Sequence, residues 1–137
     1  MTNRLNLKSK FAAVFFATLL VAAGAFAAQK GLTKRVRFPR GRTTAVLKNS
    51  VVRGTVDRYL LGARSGQQMI VHISSVERNV VFKIYTPQGG RLEGMDEGED
   101  STDWSGTLPQ DGDYIIEVGG TRGNATYTLE VSIRSEN

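Results

Sequence analysis

Across 125–134 the apolar residues Tyr127, Leu129, Val131 and Ile133 take every second place, with Thr128, Glu130 and Ser132 between them. A two-residue period suits a pleated strand with one buried face. It does not suit a helix, whose apolar stripe recurs at steps of three and four. The same period runs through 57–63 (Tyr59, Leu61, Ala63), 68–74 (Met69, Val71, Ile73), 80–86 (Val80, Phe82, Ile84) and 114–118 (Tyr114, Ile116, Val118). Two weaker segments precede these. In 34–38, Val36 and Phe38 share a face before Pro39, while 43–48 is rich in strand formers but leaves its inward face undecided. Seven or eight short strands at intervals of roughly ten residues, separated by Gly, Pro and Asp, predict an all-β antiparallel sandwich or jelly roll.

The stretch 103–118 predicts a short strand, a tight turn and a second strand. Leu108-Pro109 ends the first, because proline has no N–H for a ladder. Asp111-Gly112-Asp113 supplies the turn, and Tyr114 opens the next strand. That placement suits a tyrosine corner, in which the hydroxyl anchors the crossing loop, and equally an ordinary tyrosine at the edge of the core. Ser65-Gly66-Gln67 is a connection of hairpin size between two predicted strands.

The first 27 residues read differently. Arg4, Lys8 and Lys10 precede an uncharged run from 11 to 28, in which Ala25-Phe26-Ala27 is a small-x-small site for signal peptidase. Cleavage after Ala27 is expected, leaving 28–137 as one exported domain, periplasmic or secreted, with no membrane span. The full chain carries 18 basic and 13 acidic residues. Losing three basic residues with the leader reduces the net charge from +5 to +2, so the basic character belongs largely to the leader. That balance and the export signal speak against nucleic acid as a partner. There is no cysteine, so an oxidising compartment brings no disulfide and the core alone must hold the fold.

Little in the chain suggests catalysis. His72 is the one histidine, placed opposite the apolar face of its strand. Thiol chemistry is absent, no His-Glu-x-x-His run exists, and no Gly-x-Ser-x-Gly elbow occurs. A hydrolase is therefore the weakest of three readings, and no catalytic residue, cofactor or metal is assigned. The acidic run at 96–100, with Asp103, offers oxygen ligands for calcium, but its spacing is not that of an EF-hand; a solvated loop is the plainer account. Charge is also segregated along the chain. Ten basic residues fall within 30–64, and nine acids fall within 93–117. Pairing of these blocks across strands, or their solvation, is expected in preference to a basic face for an anionic glycan or membrane lipid. Trp104 is expected as a core anchor, with stacking on a sugar as the alternative.

Taken together, Asp57-x-Tyr59, Ala63-x-x-Gly66-Gln67, Pro87-x-Gly89, Leu108-Pro109-x-x-Gly112-x-Tyr114 and Tyr127-x-Leu129 resemble the bacterial pre-peptidase C-terminal domain, from about residue 36 to 134. The resemblance implies a β-sandwich binding module. A single such domain behind a leader is most similar to the periplasmic inhibitors of g-type lysozyme within that family. It implies a lysozyme as protein partner, contacted through arginines in the loop before the last strand. Arg122 matches one of them, with Thr121 and Asn124 beside it; where a second arginine is expected four residues on, Thr126 stands. An arginine reaching a glycosidase's paired carboxylates would block substrate without chemistry of its own, whereas a solvent-exposed turn arginine would do nothing. The alternative within binding is an accessory domain that recognises polysaccharide, envelope or another protein.

Overall fold

The computed structural model describes residues 30–95 and 101–136. Eight strands form two four-stranded sheets packed face to face: β1 (Thr33–Arg35), β2 (Thr44–Val51), β3 (Val56–Ala63), β4 (Gln68–Ser75), β5 (Val80–Tyr85), β6 (Asp103–Thr107), β7 (Gly112–Gly120) and β8 (Ala125–Arg134). One sheet has the order β1-β3-β7-β5 and the other β2-β8-β4-β6. Every ladder is antiparallel except β1 with β3, which is parallel. The all-β sandwich expected from the alternation is the observed fold. The leader expected at 1–27 and the acidic run at 96–100 lie outside the described residues.

The alternating apolar residues form the core. Tyr59, Leu61, Met69, Val71, Phe82, Ile84, Tyr114, Ile116, Leu129 and Val131 all point between the sheets and are buried. Each fully buried aliphatic side chain contributes roughly 1.5–3 kcal/mol relative to exposure. The inward face of β2, undecided from sequence, consists of Ala45, Leu47, Asn49 and Val51. Asn49 explains the ambiguity: it is a polar residue turned inward to meet a buried acid.

That acid is Asp57 on β3, 2% exposed. Its carboxylate accepts from Leu32 N–H at 2.8 Å, Asn49 Nδ2 at 2.8 Å and Tyr127 Oη at 2.6 Å. The Tyr127 hydroxyl also meets that of Tyr59, whose ring stands edge-on to it at 6.4 Å between centroids. Buried polar groups are tolerated when every partner is present. Here the network joins β3 of one sheet to β2 and β8 of the other. Burial, followed by the bond to Asp57, pushes the Tyr127 phenol far above the ordinary range.

Two sequence expectations change. The first strand is shorter and earlier than the 34–38 pattern: β1 ends at Arg35, and Val36 adds one bond to Leu60 O before Val36 and Phe38 turn onto the core. The 64–67 and 108–111 connections are not hairpins. Both cross from one sheet to the other, as does every connection between consecutive strands.

The tyrosine corner is present. Tyr114 is fully buried and its hydroxyl donates to Gln110 O at 2.7 Å while accepting from Gln110 N–H at 3.0 Å. The segregated charges do pair across strands: Arg35 with Asp113 through two bonds at 2.7 and 2.8 Å, and Arg58 with Glu117 at 3.1 Å. The Arg35 guanidinium holds the Asp113 carboxyl below the usual carboxylate range, chiefly by hydrogen bonding.

Candidate functional site

Three turns meet at one end of the sandwich: 52–55 between β2 and β3, 76–79 between β4 and β5, and 121–124 between β7 and β8. Strand register brings them together, since Val51 pairs with Ala125, Val56 with Gly119, Val80 with Gly120, and Ser75 with Tyr127.

Asn79 holds the 121–124 turn. It is 2% exposed, and its Nδ2 donates to Arg122 O and Asn124 O, each at 3.0 Å. Its own backbone carbonyl accepts from Thr121 N–H at 2.8 Å, and its N–H reaches Ser75 Oγ at 3.1 Å. The Asn124 side-chain carbonyl then accepts from Arg53 N–H at 2.8 Å, tying in the third turn. Gly120 is obligatory, because a Cβ there would lie 2.8 Å from Gly123 O. The 121–124 turn thus stands on a fixed base.

The turn tips carry charge. Arg53, Arg78 and Arg122 are exposed, and none forms an ion pair among the described residues. The Arg122 guanidinium makes one weak bond, from Nη2 to Glu77 O at 3.2 Å. Apolar side chains stand among them, with Val52 at 40% and Val76 at 101% exposure.

Of the residues singled out in sequence, Thr121, Arg122 and Asn124 share this turn, and all are exposed. Thr126 sits one step beyond, where its hydroxyl bonds Ser50 Oγ at 2.7 Å on the outer sheet face. Sequence reasoning missed Asn79, Arg53, Arg78 and Val76, because only the sheet order brings their turns to 121–124.

The chain matches no protein-family model, and no curated protein matches it. Among solved structures, PliG of Aeromonas hydrophila, a periplasmic lysozyme inhibitor of g-type lysozyme, superposes with a TM-score of 0.64 at 30% identity. The match covers 77% of this chain and 100% of that one. The chain belongs to the PliG family. A PliG mutant from Escherichia coli shares the fold at 22% identity and a TM-score of 0.60, over 76% of this chain and 99% of that one. The pre-peptidase C-terminal domain of a Bacillus anthracis collagenase shares it more distantly, at 14% and 0.50, over 78% and 99%. The Aeromonas protein is an inhibitor and not an enzyme, in keeping with a non-catalytic PliG-like chain.

The sequence also singled out His72 and Trp104. His72 lies exposed on the outer face of its sheet, bonded to Asp103, whose carboxyl is lowered chiefly by that bond. Among the described residues no three His, Cys, Asp or Glu side chains converge as metal ligands. Trp104 is neither fully buried nor free. It lies on the inner face at the sheet edge, packs against the core, and donates Nε1–H to Glu93 O at 3.1 Å. Beside it is a hollow of about 400 Å³ bordered by Leu92, Ser105, Thr107 and Pro109. Gly106 leaves room for the indole, since a Cβ there would meet it at 2.8 Å.

Proposed function

We propose that the chain is an exported inhibitor of a g-type lysozyme, acting in the periplasm as the single domain 28–137 after loss of its leader. The observation that carries this reading is the arginine-tipped end, fixed from beneath by Asn79, on the fold of the PliG inhibitors. The 121–124 turn enters the enzyme's cleft. Arg122 makes a charge-assisted bond to a carboxylate there, Thr121 packs alongside, and Asn124 presents its free amide edge while its carbonyl stays on Arg53. Because the turn is already ordered, little entropy is lost on docking.

The test is a clearing assay with a g-type lysozyme and purified 28–137. Lysis should fall at micromolar protein, and Arg122→Ala should weaken inhibition at least ~10-fold without a change in melting temperature. Unchanged lysis at micromolar excess would remove the reading. A second reading, recognition of polysaccharide, draws on the hollow beside Trp104. It predicts retention on peptidoglycan that Trp104→Ala abolishes; passage of the native protein without retention refutes it.

A further inference from the structure

The three turns solve one backbone problem in two ways. The 52–55 and 121–124 turns each enter the left-handed region at a glycine, Gly54 at φ 78° and Gly123 at φ 64°. The 76–79 turn enters it at Arg78, φ 51°, the one non-glycine residue with positive φ among the described residues. Glycine takes this conformation freely, whereas a side chain with a Cβ is strained there. Arg78 is thus the exception at an end where glycine is otherwise used.

Among the described residues, nothing accounts for the arginine. Its backbone N–H closes the turn on Ser75 O at 3.2 Å, which a glycine would do equally. Its guanidinium has no hydrogen-bond or ion-pair partner among the described residues. Its neighbours, by contrast, are both bonded to Arg122: Glu77 through its carbonyl, and Asn79 through its amide. Arg78 therefore projects from a turn locked against the Arg122 turn. Arg78 also borders a hollow of about 290 Å³, lined by Ile73, Val80 and Thr102.

We infer that Arg78 is a second carboxylate-binding residue of the inhibitory surface, retained in a strained backbone because its charge is needed beside Arg122. Strain of this kind persists where the surroundings impose it and function uses it. The partner supplies a second acidic group within reach of both turns, and an apolar side chain for the hollow. This rests on the lysozyme reading above.

Arg78→Gly makes the inference testable, because it moves stability and binding in opposite directions. Relief of strain should raise the melting temperature by about 4 °C, while inhibition of the g-type lysozyme weakens at least ~10-fold. Arg78→Asn, which tolerates the same conformation, should behave alike, and Arg78→Asp should abolish inhibition. The dependence of inhibition on salt should also flatten in Arg78→Gly. Native protein that inhibits, with Arg78→Gly and Arg78→Asn inhibiting equally well, overturns the assignment of Arg78 alone. A loss of inhibition accompanied by a lower melting temperature overturns it too, as the residue would then be structural. Native protein that fails to inhibit removes the lysozyme reading and this inference with it.

Discussion

The two ends of the sandwich are secured by the same device and finished in opposite ways. At one end, Tyr114 reaches from the core to bond both backbone groups of Gln110. At the other, Asn79, buried at the end of the 76–79 turn, bonds the carbonyls of Arg122 and Asn124. Each is a buried side chain that fixes a crossing turn. Around Tyr114 the turns bond one another and the charges pair: Ser65 N–H donates to Asp111, Leu108 exchanges backbone bonds with Gly66 and Gln67, and Asp113 pairs with Arg35, while Gln110 Oε1 is buried without a partner among the described residues. Around Asn79 the turns bond one another too, but the charges do not pair. Arg53 and Arg78 have no side-chain partner among the described residues, Arg122 has only its weak bond to Glu77 O, and Val52 and Val76 stand exposed. On the lysozyme reading, the end with the unpaired arginines is the one that docks, and the paired end serves the fold.

This contrast can be broken at several points. Tyr114→Ala should cost about 3–5 kcal/mol, as for other buried aromatics, and leave inhibition per folded molecule intact. Loss of inhibition in the folded fraction would mean that the two ends are not separable. Asn79→Ala removes both bonds to the 121–124 turn and should cost about 2 kcal/mol in urea unfolding. It should also weaken inhibition, because Arg122 loses its base; undiminished inhibition would show that the turn needs no fixing. Arg122→Ala should leave stability within about 0.5 kcal/mol, which a urea midpoint measures, despite its effect on the lysozyme.

The smallest effect concerns the paired end. Asp113 is ionised further into acid than a free carboxyl because Arg35 bonds it. Its contribution to stability is present above the ordinary carboxylate range and is lost as pH falls through the lowered value. Both side chains are exposed, so the change in stability is slight, but Arg35→Ala should return the Asp113 titration, followed by NMR, to the usual range.

Much of this was legible in the alternation. Tyr127, Leu129 and Val131 determine which face of β8 is buried, and Tyr114 after Leu108-Pro109 marks the corner. The arginine of the last turn was also visible, in Gly119-Gly120-Thr121-Arg122-Gly123-Asn124. What alternation does not encode is which strand lies beside which. Short connections at 64–67 and 108–111 suggest hairpins, and a strand's own period is the same whether it pairs with its neighbour or with a distant strand. For that reason Asn79, forty-three residues from Arg122, was invisible as its support. Asn49 was obscured differently, since an inward polar residue looks like a break in the pattern until Asp57 is placed opposite it.

Because consecutive strands always lie in opposite sheets, no ladder can close between neighbours in sequence. The last two strands, β7 and β8, each sit between two others at the centre of their sheets. A chain that lacks them has only the β1–β3 and β4–β6 ladders available, so most backbone pairing waits for the C-terminal quarter. Such a topology favours slow, all-or-none acquisition of structure. A growing or threading polypeptide of this kind stays unpaired along most of its length until its tail arrives.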